Sequence, residues 1–175
     1  YWATVSELTT DPLVGDSRAV DAWVVGNQAY GAVSDLAGQR VIVADDLLNG
    51  KSFDDTLTAR DGAVAYLLGL DGDDRLTGAN RADLLSGGDG ADTLEGGSGN
   101  DLLAGGTGDD DLDGGAGDRD TAVFTGNKGD YTLDFADGAS AVTHDVSGSG
   151  NEGTDTLSAI EFLRFADETV DVAGL

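Results

Sequence analysis

Residues 87–113 read GGDGADTLE, GGSGNDLLA and GGTGDDDLD, three uninterrupted copies of the nonapeptide GGxGxDxLx. Worn copies precede them. Gly69 to Thr77 (GLDGDDRLT) keeps the fourth-position Gly72, the sixth-position Asp74 and the leucine, and Gly78 to Ser86 (GANRADLLS) has Arg81 where glycine is expected. A further copy from Gly114 (GGAGDRDTAVF) carries one extra residue before Asp120. Leu67, Leu76, Leu85, Leu94, Leu103 and Leu112 therefore recur every nine residues. Glycines at positions 1, 2 and 4 allow a tight loop with positive φ, and the short apolar tail supplies a strand of about three residues. Only position 8 is consistently apolar, so one leucine per copy faces inward, and two copies make one coil with a loop on either side. A Gly/Asp-rich linker of the same composition has no reason to hold leucine in phase. The expected fold is all-β: a parallel β-roll over residues 63–124, between an irregular β N-terminal flank (1–62) and a β-hairpin C-terminal cap (125–175).

Such a coil does not close on its own. One buried leucine per nine residues falls short of the conformational entropy of ordering them. Between Gly69 and Asp120 stand fourteen acidic residues against three arginines, and two carboxylates about 4 Å apart repel by roughly 4 kcal/mol at an effective dielectric near 20. The coil thus needs a cation. Calcium suits it, because calcium accepts six to eight oxygen ligands in loose geometry, whereas magnesium demands a strict octahedron and keeps its waters. The loops offer carboxylates and turned-out carbonyls and no soft ligand.

The GGxGxDxLx pattern resembles the RTX (hemolysin-type) calcium-binding repeat of secreted bacterial proteins, over Gly69 to Asp120. The resemblance implies a parallel β-roll with ions held between loops two repeats apart. One side would stack the loops ending at Asp74, Asp92 and Asp110, and the other those ending at Asp83, Asp101 and Asp120. Carbonyls of the second and fourth positions would complete the shell: Gly72, Gly88, Gly90, Gly106 and Gly108 on the first side, Gly97, Gly99, Gly115 and Gly117 on the second. About four calcium ions follow from that stacking. The pairs Asp74/Asp92 and Asp92/Asp110 are the best formed, since Arg81 and the Asp118-Arg119-Asp120 insertion disturb the other side.

The formal net charge of −25, with only nine lysines and arginines in 175 residues, excludes nucleic acid and anionic membrane surfaces as natural partners. Without cysteine there is no disulfide and no thiolate metal site. No apolar stretch approaches a membrane span. The start YWATVSELTT lacks a basic n-region, an h-region and an initiator Met, and reads as the beginning of an excised C-terminal piece. The resemblance implies export from a Gram-negative cell by type I secretion machinery with an uncleaved C-terminal signal, to which FADETVDVAGL would belong, and hence an extracellular protein.

After the repeats, Tyr131, Leu133 and Phe135 alternate, Asp137-Gly138 makes a turn, and Val142, His144 and Val146 alternate again, a hairpin pattern. Leu157, Ile160, Phe162, Leu163 and Phe165 follow. Together these segments are expected to plug the open end of the roll. In the N-terminal flank the runs Ala22 to Val25 and Val41 to Ala44 suggest strands, Ala63 to Leu68 the first strand of the roll, and Trp2, Trp23, Tyr30 and Phe53 a small core or, alternatively, a sugar-binding platform.

No catalytic apparatus is visible. His144 is the sole histidine and has no zinc spacing, there is no GxSxG elbow, and the glycine loops lack the lysine of a phosphate loop. The pairs Asp45-Asp46 and Asp54-Asp55 are ordinary in a chain with 34 acids. Asp11-Pro12 resembles a bond that some RTX-associated modules cleave in calcium, but the surrounding residues do not otherwise resemble those modules and a turn is the better reading. The chain is therefore expected to be non-enzymatic: a calcium-folding module that supports secretion and folding of an upstream domain in a larger parent protein. Two alternatives stay open: a calcium-rigidified adhesin that binds glycan, protein or cell surface, and the tail of a secreted enzyme such as a protease, lipase or peroxidase.

Overall fold

The computed structural model describes residues 20–25, 28–34, 41–44, 46–135, 141–144 and 151–175, with side chains from residue 48 onward. Near the N-terminus, β1 (Val20–Val25), β2 (Gln28–Ser34) and β3 (Val41–Ala44) form an antiparallel sheet in the order β1-β2-β3, with Trp23 and Tyr30 as backbone partners. The strands expected at residues 22–25 and 41–44 lie within it. Trp2, the side chains of Trp23 and Tyr30, and Asp11-Pro12 fall outside the described residues. Phe53 does not belong to a core, because its ring is 56% exposed beneath the Lys51 ammonium.

The roll follows. Its strands are β4 (Asp46–Asn49), β5 (Thr56–Thr58), β6 (Ala65–Asp71), β7 (Arg75–Thr77), β8 (Leu84–Asp89), β9 (Thr93–Glu95), β10 (Leu102–Thr107), β11 (Asp111–Asp113) and β12 (Thr121–Val123). After them come β13 (Tyr131–Asp134), β14 (Ala141–His144), β15 (Thr154–Ser158), β16 (Phe162–Arg164) and β17 (Thr169–Asp171). From β4 to β12 alternate strands go to opposite sheets, and the full orders are β4-β6-β8-β10-β12-β16-β17 and β5-β7-β9-β11-β15-β14-β13. All pairings from β4 to β16 and from β5 to β15 are parallel, and β17 and the β13/β14 hairpin close the two sheets with antiparallel strands. The fold is thus an all-β parallel solenoid, as the repeat implied.

The register explains the leucine phase. Leu48, Leu67, Leu85, Leu103, Ala122 and Leu163 stack rung on rung in one sheet, and Leu57, Leu76, Leu94, Leu112 and Leu157 in the other. The six leucines picked out by their nine-residue spacing are all fully buried.

Four sequence expectations need correction. The first rung is β4 rather than residues 63–68, since β4 pairs with β6 and β5 with β7. Nor does the stack stop near residue 124: after the hairpin the chain returns and lays β15 on β11 and β16 on β12, so the cap adds rungs as well as covering them. Strands β6, β8 and β10 are six or seven residues long rather than three, because parallel pairing runs on through their glycines, as in Gly106 opposite Gly88. Finally, the first-position glycines do not take positive φ. They are small because they must be: a Cβ on Gly87 would strike the Asp92 carboxylate and the Gly105 carbonyl of the next coil.

From Gly69 to Asp120, left-handed backbone is confined to positions 2 and 4, as at Gly88 (φ 127°) and Gly90 (φ 142°). Leu70 occupies position 2 of its copy at φ 88°, where a side chain strains the backbone. Two substitutions test this packing by chemical denaturation. Leu94→Ala, emptying a fully buried site in the middle of the stack, is expected to cost about 2–5 kcal/mol. Leu70→Gly should instead stabilise the fold by about 0.5–1 kcal/mol, since glycine takes this conformation freely.

Candidate metal centre

The sixth-position aspartates form two ladders along the flanks of the roll. On one flank the backbone N–H of Asp55 donates to Asp74 Oδ1 (2.7 Å), that of Asp74 to Asp92 Oδ1 (2.7 Å), and that of Asp92 to Asp110 Oδ1 (2.8 Å). Asp110 N–H continues it to Asp155 Oδ1 (3.0 Å). On the other flank Ala65 N–H donates to Asp83 Oδ1 (2.7 Å), Asp83 to Asp101 (2.8 Å), Asp101 to Asp120 (2.7 Å), and Asp120 to Glu161 Oε2 (2.8 Å). The structure thus groups Asp74, Asp92 and Asp110 on one side and Asp83, Asp101 and Asp120 on the other. Three ladder members were not singled out from sequence: Asp55, Asp155 and Glu161. For the first two the signal was there, since Asp-x-Leu occurs at Asp55-Thr56-Leu57 and at Asp155-Thr156-Leu157.

One oxygen of each carboxylate is used in this way; the fate of the other depends on the loop. In the loop of Asp83, Ala79 replaces the second glycine and its N–H donates to Asp83 Oδ2 (2.8 Å). Lys51 N–H does the same for Asp55 Oδ2 (2.6 Å). Neither Ala79 nor Lys51 has positive φ. Where position 2 is left-handed, at Leu70, Gly88, Gly97, Gly106 and Gly115, the carboxylate that ends the loop receives no such bond. Asp74, Asp92, Asp101, Asp110 and Asp120 each keep an Oδ2 that is buried and has no hydrogen-bond partner. Each of these side chains is at most 3% exposed.

A buried carboxylate oxygen without a donor is costly. Here the desolvation is visible as proton affinity. Burial first, then nearby carboxylates (ladder neighbours for Asp92 and Asp101, Asp109 and Glu152 for Asp110), pushes Asp92 and Asp101 up to about 7 and Asp110 up to about 6, and burial likewise raises Asp74 and Asp120. Asp155 reaches about 8, through burial and the charges of Asp110, Glu152 and Asp109.

The surroundings suit a hard cation. The point where a Gly87 Cβ would sit is bounded by Asp92 Oδ2 and, at 2.6 Å, the Gly105 carbonyl oxygen. At Gly96 the corresponding point lies 2.6 Å from Asp101 Oδ2 and 2.7 Å from the Gly114 carbonyl. The carbonyls of Gly72, Gly88, Gly90, Gly97 and Gly99 crowd the equivalent glycines one coil further on. Among the described residues no three Asp, Glu or His side chains converge, so the remaining donors to an ion with six to eight oxygen ligands would be backbone carbonyls. The residues fit calcium: carboxylate and carbonyl oxygens only, with a negative charge that lacks a donor.

Other singled-out residues have structural partners. His144 stacks on Tyr131 (4.5 Å between ring centroids), and its Nδ1 accepts from Glu152 N–H (3.0 Å). Asp54 Oδ1 accepts from Asp73 N–H (3.1 Å) in the loop above. Among the described residues no helix is long and apolar enough to cross a membrane.

The geometry defines a roll whose loops present charged, donor-free oxygens to a cation. The family model for the RTX calcium-binding nonapeptide repeat (4 copies) matches residues 44–63, 68–103 and 86–119. Over these residues the chain carries RTX calcium-binding repeats, folded as a β-roll. The first matched segment contains the loop of Asp55, where the structure begins the roll. Comparison with curated proteins gives no match.

Since the folded-state proton affinities of these aspartates are raised, their neutral forms stabilise the metal-free roll. That contribution is complete below the ordinary carboxylate value of 3.8 and is lost as pH rises through about 6 to about 8. In chelator, circular dichroism should therefore show β structure increasing as pH is lowered from about 8 toward about 5. In calcium the trend reverses, because protons compete with the ion, and the apparent affinity should fall over the same range.

Proposed function

We propose that the chain is a calcium-driven folding module at the C-terminus of a larger exported protein, disordered in its roll inside the cell and folded outside it. The observation that carries this reading is the series of buried Oδ2 atoms without donors at Asp74, Asp92, Asp110, Asp101 and Asp120, stacked coil on coil. Calcium between loops would neutralise them, about four ions in all if each sits between loops two repeats apart. On one flank Asp74, Asp92 and Asp110 would hold the ions with carbonyls of Gly72, Gly88, Gly90, Gly106 and Gly108. On the other the holders would be Asp101 and Asp120, with Gly97, Gly99, Gly115 and Gly117. Asp83 is the weakest of the expected ligands, because its second oxygen is bonded by its own loop.

The ion supplies charge neutralisation, and everything else is the work of the chain. Each carboxylate clamps the amide of the preceding coil through Oδ1 and offers Oδ2 to the cation, so filling one site orders two coils. A ligand that binds only the folded state adds RT ln(1 + [Ca]/Kd) per site, about 2.7 kcal/mol when calcium is 100 times Kd. Submicromolar cytosolic calcium would leave the repeats extended enough to thread a secretion channel. Millimolar calcium outside would fold them, resist backsliding and give an upstream domain a folded base. Type I secretion from a Gram-negative cell is the export route this behaviour suits.

A titration followed by far-ultraviolet circular dichroism tests the proposal. At about pH 8, chain in chelator is expected to be largely without β signal, and millimolar calcium to produce it cooperatively, with magnesium ineffective at equal concentration. A spectrum already β-rich in chelator at that pH and unchanged by calcium would overturn it.

A further inference from the structure

The match to the repeat family stops at residue 119, but the roll does not. After β12 the chain leaves, makes the β13/β14 hairpin and returns through Asn151-Glu152-Gly153-Thr154-Asp155-Thr156-Leu157-Ser158, which Gly150 precedes in the sequence. Aligned on Leu157, the sequence from Gly150 has glycine at positions 1 and 4, aspartate at 6 and leucine at 8. Asparagine at position 2 is its one departure from the repeat. Eighteen residues separate Asp92 from Asp110, and forty-five separate Asp110 from Asp155, so the continuity is broken in the chain and restored in space.

The backbone treats this stretch as the next repeat. Thr156 N–H donates to the Asp110 carbonyl (2.8 Å), as Asp111 N–H does to Asp92 and Thr93 N–H to Asp74, both at 2.8 Å. Thr154 N–H reaches Asp109 Oδ1 (2.8 Å), as Ala91 N–H reaches Asp73 Oδ1 (2.9 Å) two coils earlier. Gly153 has positive φ (73°), and a Cβ on it would strike the Gly108 carbonyl, just as one on Gly108 would strike that of Gly90. Leu157 stacks on Leu112, and Asp155 Oδ1 takes the Asp110 amide.

Below this returned repeat lies an unfilled valence. Asp110 is 3% exposed and its Oδ2 has no partner. Asp155, 2% exposed, stands over it at the same ladder step that joins Asp92 to Asp110. The oxygens of Glu152, in position 3, are engaged elsewhere, accepting from Thr125 N–H (3.0 Å) and from the Tyr131 hydroxyl.

We propose that Asn151 to Ser158 is a detached repeat of the roll, and that with the stacked loop of Gly105 to Asp110 it forms a further calcium site held by the Asp110 and Asp155 carboxylates. Calcium there would staple the returning chain, and with it the hairpin cap, onto the last contiguous coil. The inference rests on the reading of the other loops as calcium sites, and the experiment separates the two.

Calcium binding to the full chain is measured by isothermal titration calorimetry, comparing the parent with Asp155→Asn. Asparagine keeps the Oδ1 acceptor for the Asp110 amide but removes the charge. The variant is expected to bind one ion fewer while the remaining sites keep their affinity. An equal number of ions at equal affinity in parent and variant would overturn this site alone, whereas no calcium binding by the parent would overturn the broader reading and this one with it. Hydrogen exchange on the unsubstituted chain gives a second measurement that does not depend on a variant folding. Residues 151–158 should gain protection over the same calcium range as residues 87–113. Protection of 87–113 with none at 151–158 contradicts the proposal.

Discussion

The coils of this roll are joined by carboxylates that hold a backbone amide with one oxygen and, at Asp74, Asp92, Asp101, Asp110 and Asp120, leave the other without a donor. The first bond sets the spacing of the loops, and the second oxygen makes that spacing unfavourable until a positive charge arrives. Leucine stacking fills the interior but is too sparse, at one side chain per nine residues, to outweigh a row of buried acids. On the proposed reading, the same atoms that specify the fold would make it conditional on a cation, and metal binding and folding would be one event.

The glycines decide which aspartates are left open. With glycine at position 2 the backbone turns left-handed and the carboxylate lacks a donor from its own loop, as at Asp92 and Asp101. With Ala79 or Lys51 there, the loop folds its own N–H onto the acid and closes it. The difference between an acidic turn and a cation-ready one is therefore a matter of one backbone angle rather than of charge. Leu70 shows how strong the requirement is, since a 41% exposed leucine is held at φ 88° to keep the Asp74 loop in the open form.

The contiguous heart of the roll was legible from sequence because its information is local. Leucine in strict phase predicted the buried face, and the resemblance carried by the glycine and aspartate positions implied the grouping of Asp74, Asp92 and Asp110 on one side and Asp83, Asp101 and Asp120 on the other. The ends were not legible, for physical reasons that differ. At the N-terminal end, Gly50 to Thr58 keeps only Gly50, Asp55 and Leu57 of the pattern, and Ala65 stands at the ladder step where an aspartate is expected. Rung membership there is set by backbone pairing, which tolerates almost any side chain. At the C-terminal end the pattern survives in Asp155 and Leu157, but the hairpin between them and Asp110 removes the periodicity that makes a repeat visible. Glu161 was beyond reach by spacing alone: the loop before it is shortened to Ala159 and Ile160, with Ala159 at φ 49°, and a longer side chain spans to the Asp120 amide.

The most direct test of this account is a crystal structure grown in millimolar calcium, with anomalous scattering used to locate the ions. The account predicts peaks on both flanks of the roll, with Oδ2 of Asp92, Asp110 and Asp101 each about 2.3–2.6 Å from a metal. Well-ordered loops without anomalous density, and with those oxygens bonded to water or to a neighbouring donor, would contradict it.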